Sequence, residues 1–230
     1  NKRVLRRIGF VIATGLLICF LSTAIFMGIF LMYVKTTVIP TSTIDADDYT
    51  MNFSSIIYYQ DEETGEWMPY QSVHGEENRI WVDFNDVPEA LWQAVVAIED
   101  HRFFDHQGVD WKRTIGATLN MFIGTQDTYG GSTITQQVIK NITKDNSATV
   151  NRKVREIFRA LEFEKNYTKQ QILELYLNTI YLGKGCYGVQ TASKYYFGKD
   201  VSELSVAECA SLIAITNNPS MYGPMSEVSI

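Results

Sequence analysis

A long stretch without any charged side chain constrains this sequence more than any other feature. It begins at Ile8, ends at Val34 and is 27 residues long. A helix needs about 20 predominantly apolar residues to cross a lipid bilayer, so the stretch predicts a transmembrane helix. A cleaved secretory signal is the alternative, but its apolar region is only about 7–15 residues long and a small-residue cleavage site should follow it.

The flanks of this stretch predict how the chain is oriented. Basic residues precede it at Lys2, Arg3, Arg6 and Arg7. Because positively charged flanks stay in the cytoplasm, we expect a single-pass protein of the cell membrane with a cytoplasmic N-terminus. All residues after Lys35 are then expected on the extracytoplasmic side.

This outer portion is strongly acidic. The whole chain carries 20 basic and 26 acidic side chains. Five basic residues lie at or before Lys35 and no acidic residue precedes Asp45, which leaves 15 basic against 26 acidic side chains, a net charge of −11. Nucleic-acid phosphates require Lys and Arg, so the composition argues against a nucleic-acid partner.

The cysteines and histidines indicate neither a disulfide framework nor a zinc site. Cys19 lies in the apolar stretch, which leaves Cys186 and Cys209 in the outer portion. We expect these two to be unpaired buried thiols, with a single bridge as the alternative. The three histidines are scattered, and no Cys/His cluster has the spacing of zinc ligands.

Composition and periodicity divide the chain into three parts. Residues 1–35 form a cytoplasmic tail and transmembrane helix, residues 36–84 a juxtamembrane linker with a small β-rich segment, and residues 85–230 a mainly helical domain. A hairpin is predicted at 54–60 and 67–73, around the turn-rich sequence DEETGE, and a third short strand at 79–84.

The rest of the chain has helical periodicity. Helices are predicted at 88–104, 111–123, 132–142, 148–163 and 171–178, with a further helix ending at Ile215. Capping-box patterns open the last two, at Thr168–Gln171 and Ser205–Glu208. The expected fold class is therefore mainly α with a small β appendage, preceded by one transmembrane helix.

Glu99 is the first acidic residue in a suggestive position. It lies at the edge of an apolar helix face that contains Leu91, Val95 and Ile98. A carboxylate at such an edge is a candidate proton acceptor or donor. The alternative is a boundary glutamate paired with Arg102 or Arg113, and the periodicity alone favours this alternative.

Glu156 is the second, on a helix face with three arginines. With 100° per residue, Arg152, Arg155 and Arg159 lie within about 60° of it and opposite an apolar stripe. Guanidinium groups around a carboxylate suit a diphosphate ligand, although an ordinary solvated face with ion pairs explains the pattern alone. Residues 140–169 hold eight basic against four acidic residues, which favours an anionic ligand.

Between these two helices, residues 129–137 read YGGSTITQQ. The glycines allow a close approach of the backbone to a ligand, and the hydroxyl and amide groups suit sugars and phosphates. An ordinary entry from a loop into a helix is the alternative.

In this order the segments resemble the peptidoglycan glycosyltransferases of family 51, the module of class A penicillin-binding proteins and monofunctional transglycosylases. The first motif is Glu99-Asp100-x-x-Phe103-x-x-His106-x-Gly108-x-Asp110, and the second is Gly131-Ser-Thr-Ile-Thr-Gln-Gln137 followed by Lys140-Asn141. The third is Arg152-Lys153-x-x-Glu156, and the fourth is Ile172-Leu173-Glu174-x-Tyr176-Leu177-Asn178. The resemblance extends roughly from Val87 to Pro224.

The resemblance implies a lysozyme-like fold and a reaction. Lipid II would be added to a growing lipid-linked glycan strand by inverting glycosyl transfer, with release of undecaprenyl diphosphate. Glu99 corresponds to the base that activates the acceptor hydroxyl. Glu156 corresponds to a second essential acid that assists the departing diphosphate, directly or through a divalent cation, Mg²⁺ or Mn²⁺.

The resemblance also implies substrate-binding positions. Lys140, Arg152 and Lys153 correspond to groups that neutralise the diphosphate. The remaining motif positions are Asp100, Phe103, Ser132, Thr133, Gln136 and Gln137. His106 is expected to form structural hydrogen bonds instead of binding substrate.

Some features of the family pattern are missing, and they shape our expectations about the whole protein. Its fifth, arginine-containing motif and the Ser-x-x-Lys set of a transpeptidase are absent up to Ile230. The long β-like insertion before Glu99 nevertheless favours a bifunctional class A protein, so we expect a truncated part of such a protein, which works with other cell-wall synthesis proteins. The alternatives are a lysozyme-like glycan-cleaving enzyme and a catalytically inactive membrane-tethered scaffold.

One more stripe suggests contact with the membrane. Trp111, Ile115, Leu119 and Phe122 recur at helical spacing. They predict either plain core packing or a surface that dips into the outer leaflet, where a polyprenyl substrate stays anchored.

Overall fold

The computed structural model describes residues 2–44, 54–73, 75, 77–123 and 130–222, in two compact units, Asn1–Thr43 and Ile44–Ile230. The first unit is helix α1, Lys2–Tyr33, followed by the short helical turns Val34–Val38 and Ile39–Thr41. Among the described residues, this is the one helix long and apolar enough to cross a membrane. At ~1.5 Å per residue, the 32 residues of α1 exceed the ~30 Å hydrocarbon core.

The second unit is mainly helical, as predicted. Its helices are α2 Glu89–Glu99, α3 Trp111–Ile123, α4 Ile134–Thr143, α5 Val150–Asn166, α6 Lys169–Thr179, α7 Val189–Phe197, α8 Val206–Ala214 and α9 Pro219–Tyr222. Short 3₁₀ turns lie at Phe84–Asp86, Val201–Glu203 and Ile215–Asn217.

Two small sheets accompany the helices. Strands β1, Ser55–Gln60, and β2, Trp67–Val73, pair antiparallel and confirm the predicted hairpin. Strand β3, Asn78–Arg79, pairs in parallel with β4, Cys186–Tyr187, a pairing that the sequence did not predict.

The predicted third strand at 79–84 is wrong beyond Arg79. Beyond Arg79, backbone amides of this segment donate hydrogen bonds to side chains of the helical part, and not to the carbonyl groups of a neighbouring strand. The amide of Ile80 donates to Thr191 Oγ1 at 2.8 Å, and the amide of Val82 donates to Asn178 Oδ1 at 2.9 Å. Because these acceptors lie on α7 and α6, the segment runs as an irregular strap across two helices.

The caps explain where several helices begin. Thr168 and Ser205 form the predicted capping boxes, with Gln171 and Glu208 as their partners. A third box, between Thr133 and Gln136, opens α4. In each box a hydroxyl accepts from a backbone amide of the first turn while the partner side chain accepts from the cap amide.

Helix α2 ends five residues earlier than predicted. Asp100 leaves the helical conformation, at φ −158° and ψ 73°, and Glu99 becomes the last helical residue. The apolar face also differs, because Leu91 and Val95 are buried whereas Ile98 is 46% exposed. Glu99, four residues after Val95, therefore continues the buried line that Ile98 was expected to occupy.

The core lies around α4 and α6. Helix α4 packs against α5 and α6, and α2 packs against α8. The largest fully buried side chains include Tyr176, Phe103, Phe163 and Leu91. Burial of each such apolar side chain contributes about 1.5–3 kcal/mol. Cys186 and Cys209 are unpaired and buried, as predicted.

Candidate active site

Glu99 is held by two neutral hydrogen-bond donors. Gln137 Nε2, on α4, donates to Glu99 Oε2 at 2.8 Å. Thr216 Oγ1, in the turn after α8, lies 2.9 Å from Glu99 Oε1. The carboxylate is half-buried. Neutral donors fix its orientation without neutralising its charge, and its remaining lone pairs stay free to accept a proton.

The two arginines proposed as ion-pair partners of Glu99 are engaged elsewhere. Arg102 Nη2 pairs with Asp110 Oδ2 at 2.5 Å. Arg113 Nη1 donates to the backbone carbonyl of Glu99, not to its carboxylate. Within the described part of the chain, the boundary ion pair that the periodicity favoured is therefore not formed. Burial, and then the charge of Glu99, raise the pKa of Tyr176 well above its ordinary value.

Asp100 links the end of α2 to the start of α4. Its side chain is completely buried, and Oδ2 accepts from the amide of Ile134 at 3.1 Å. His106 Nε2 donates to the same oxygen at 2.9 Å, so His106 has the structural role expected of it. Asp100 thereby connects the two motifs that contain Glu99 and Gln137.

Three more predicted substrate-binding residues are completely buried: Phe103, Thr133 and Gln136. Phe103 packs in the core. Thr133 Oγ1 donates to the Gly108 carbonyl at 2.6 Å, and Gln136 completes the α4 capping box. Like Asp100, these side chains shape the site from within the protein.

Glu156 is neutralised by two cations. It lies on α5 with 5% of its surface exposed. Arg152 Nη1 contacts one of its oxygens and Lys153 Nζ contacts the other. Lys153 Nζ also donates to Ser132 Oγ at 2.9 Å. The group of three charges has a net charge of +1 and suits an anion.

The segment 132–137 connects the two acidic residues. Ser132, at its start, holds Lys153 beside Glu156, and Gln137, at its end, holds Glu99. One short stretch of chain therefore fixes both acids, which lie 57 residues apart in the sequence.

Lys140 and Arg155 are not part of this cluster. Lys140 is exposed in the last turn of α4, and among the described residues it has no ion-pair partner. Arg155 contacts Asp145 at 3.4 Å.

Glu156 does not fit a metal ion in this arrangement. Both of its oxygens are occupied by cationic side chains, and a further cation there would be repelled. In the described part of the chain, no group of three or more His, Cys, Asp or Glu side chains has the arrangement of a metal site.

Thr216 makes a contact with Glu99 that the sequence did not predict. It lies outside every motif, and its partner Glu99 is 117 residues away in the chain. A hydroxyl at the end of the largely apolar run ASLIAIT is the only local signal.

A separate cleft of about 500 Å³ opens where the loop after α2 meets α3 and α5. Its walls include Arg102, His106, Trp111 and Leu161. Neither Glu99 nor Glu156 lines it, so this cleft is distinct from the acidic pair.

Penicillin-binding proteins are among the curated relatives of this sequence. Penicillin-binding protein 1F of Bacillus subtilis (strain 168) is 44% identical over 149 residues, which cover 65% of this chain and 21% of that protein. Penicillin-binding protein 1A of Streptococcus oralis is 37% identical over 234 residues, which cover 98% of this chain and 34% of that protein. The chain thus spans about a fifth to a third of the length of these relatives.

A crystal structure at 2.6 Å resolution, of penicillin-binding protein 1A from Haemophilus influenzae, aligns with 74% of this chain and 15% of its own, at 24% identity and a TM-score of 0.32. The sequence model of the Transglycosylase family matches residues 66–229, more than two thirds of the chain. The match includes Glu99, Glu156 and the segment that connects them. The chain belongs to the transglycosylase family.

Proposed function

We propose that this chain is the glycosyltransferase part of a class A penicillin-binding protein. It polymerises lipid II into peptidoglycan strands and releases undecaprenyl diphosphate. One observation supports this most directly: segment 132–137 holds the Glu99 carboxylate through a neutral donor at one end and the cation-rich group around Glu156 at the other. A glycosyl transfer from a diphosphate donor needs both of these.

Glu99 is the base in this proposal. The C4 hydroxyl of the lipid II acceptor attacks C1 of the muramic acid at the end of the growing strand. The O4–C1 bond forms as the bond from C1 to the diphosphate oxygen breaks, and the hydroxyl proton passes to Glu99. Attack on the face opposite the leaving group inverts the configuration at C1.

Arg152 and Lys153 stabilise the leaving group. Their side chains are 19% and 34% exposed, so an anion can reach them, whereas Glu156 is shielded behind them. Positive charge at the diphosphate oxygens lowers the energy of a transition state in which negative charge develops there. Glu156 holds the two cations in place, and no step in this scheme passes through a metal ion.

The first unit anchors the chain in this proposal. Helix α1 crosses the cell membrane with its N-terminus in the cytoplasm, and residues 44–230 act outside. Trp111 and Ile115 on α3 are 52% and 57% exposed, which supports membrane contact over core packing for this part of the stripe. The side chains of Leu119 and Phe122 lie outside the described residues.

Polymerisation of labelled lipid II by the native membrane protein tests the proposal. We expect Glu99→Gln to lower the rate by at least about 100-fold, because a positioned base contributes about 10²–10⁴. Glu89→Gln is the matched control. Glu89 is exposed on the same helix and binds only Gln93 among the described residues, so its loss should leave the rate unchanged.

Two results would contradict the proposal. Normal polymerisation by the Glu99→Gln variant would show that Glu99 is not the base. Shortening of preformed glycan without any use of lipid II would instead identify a glycan-cleaving enzyme.

A further inference from the structure

Thr216 makes the contact with Glu99 that none of the family motifs accounts for. It lies in the turn Ile215–Asn217, which directly follows α8, and α8 packs against α2. Its Oγ1 is 2.9 Å from Glu99 Oε1 and 2.8 Å from the carbonyl oxygen of Ile213. The hydroxyl therefore lies between two acceptors.

A hydroxyl has one proton to donate, so it serves only one of these acceptors at a time. When Glu99 is ionised, the Thr216 hydroxyl donates to Glu99 Oε1. When Glu99 carries a proton on Oε1, the hydroxyl turns to donate to the Ile213 carbonyl, and its oxygen accepts the proton of Glu99. Both acceptors are already in place, so only the O–H bond has to rotate.

The other groups around Glu99 cannot make this exchange as simply. Gln137 Nε2 is only a donor, and its amide would have to turn over to accept. Arg113 is bound to the Glu99 backbone carbonyl, and Asp100 is bound to His106 and the Ile134 amide. The Tyr176 phenol stays protonated, because its pKa is raised by burial and by the charge of Glu99.

We propose that Thr216 is a positioning residue that keeps Glu99 hydrogen-bonded in both of its protonation states. It allows Glu99 to take the proton of the acceptor hydroxyl and to release it to solvent without losing a partner. This inference rests on the proposed role of Glu99 as the base.

The test compares two substitutions at this position. Thr216→Val keeps the shape but removes the hydroxyl, and we expect kcat for lipid II polymerisation to fall about 10-fold, the cost of one hydrogen bond to a charged group. KM should change less than about 2-fold, since the hydroxyl does not touch substrate in this scheme. Thr216→Ser keeps a hydroxyl and should restore most of kcat.

The pH–rate profile separates positioning from a purely structural role. Both forms of Glu99 lose a partner in Thr216→Val, but the hydrogen bond to the ionised carboxylate is the stronger one, so the acidic limb of the profile should move to higher pH. Thr143→Val is the matched control. Its hydroxyl donates to the Ile139 carbonyl at 2.8 Å, in the way that the Thr216 hydroxyl can donate to Ile213, and among the described residues it contacts no carboxylate. It should leave both the rate and the profile unchanged.

The outcomes are distinguishable. A native rate and profile for Thr216→Val would overturn the inference. So would a lower rate with an unshifted profile and no rescue by serine, because that pattern reports altered folding alone. If Glu99→Gln polymerises normally, the proposed function itself fails, whatever the Thr216 variants show.

Discussion

At residue 108 the backbone of one loop meets the backbone of α5 with no room for a side chain. A Cβ added to Gly108 would lie 2.5 Å from the carbonyl oxygen of Ala160, and the residue has φ +82°. This approach holds the loop after α2 against α5, and the hydrogen bond from Thr133 to the Gly108 carbonyl ties the same loop to the start of α4. A shift of this loop would therefore displace the start of α4, which carries Gln137, or α5, which carries Glu156.

We expect Gly108→Ala to lower the free energy of unfolding by about 2–4 kcal/mol, through backbone strain and the clash with Ala160. Gly198→Ala is the control. Gly198 also has a positive φ, +70°, but open space around it, so it should lose only about 1–2 kcal/mol. Chemical denaturation of both variants in detergent, followed by circular dichroism, measures the difference. Equal losses would show that the contact with Ala160 is unimportant.

Single residues also show what the sequence could predict about the site. The motifs contain Glu99 and Glu156 together with residues that contact them directly or through Lys153, namely Gln137, Lys153 and Ser132. They did not separate residues that face a ligand from those buried behind it, because Thr133 and Gln136 satisfy the helix cap internally. Thr216 was not predicted because its partner, Glu99, is 117 residues away in the chain, and a local sequence pattern cannot indicate such a contact.

At the scale of elements, helix starts marked by a capping box were predictable, whereas the end of α2 was not. The boxes at Thr168 and Ser205 form as expected, because each depends on residues three apart. The end of α2 depends instead on distant partners of Asp100. The segment after β3 fails as a strand because Thr191 and Asn178 take its amides. Helix α7 was not predicted, and it lies between Gly188 and Gly198.

The box that opens α8 makes stability depend on pH. The Glu208 carboxylate accepts from Lys199 Nζ and from the Ser205 amide and hydroxyl. These contacts, with Lys199 as the largest cause, lower the pKa of Glu208 to about 2. Because the folded state holds the ionised form, this stabilisation is complete above the ordinary pKa and is lost as the pH falls towards 2.

We therefore expect Glu208→Gln to lower the melting temperature at pH 6, and the difference from the native protein to vanish near pH 2. Melting curves between pH 2 and 7 measure this. Glu62→Gln, in the exposed turn between β1 and β2, is the control, and it should leave the melting temperature unchanged both at pH 2 and at pH 7. A difference that stays constant with pH would show that the side chain acts through packing instead of charge.

At the scale of the whole molecule, the exposed face of α3 is expected to meet the lipid surface. We expect brominated lipids to quench part of the tryptophan fluorescence of the protein in liposomes, and Trp111→Phe to remove that part. Ile115→Asp should reduce the quenching, because a charge is costly at the apolar boundary of the bilayer.

Val206→Asp provides the control for this experiment. Val206 is 72% exposed at the start of α8 and receives the same change of charge, so quenching should persist. If Ile115→Asp is quenched as strongly as the native protein, α3 does not touch the membrane.

The fold class and the order of the segments followed from the sequence because both rest on periodicity and caps, which are local. Two other features depend on side chains that meet only after folding. They are the strap that crosses α6 and α7 and the contact of Thr216 with Glu99.

The connection through segment 132–137 has a consequence for how firmly the proposed base is held. A diphosphate that attracts Lys153 would compete with the hydrogen bond from Lys153 to Ser132. The start of α4 also binds the Gly108 carbonyl through Thr133 and Asp100 through the Ile134 amide, so losing the contact with Lys153 should not loosen it. We therefore expect Gln137 to keep Glu99 in the same orientation before and after the leaving group departs.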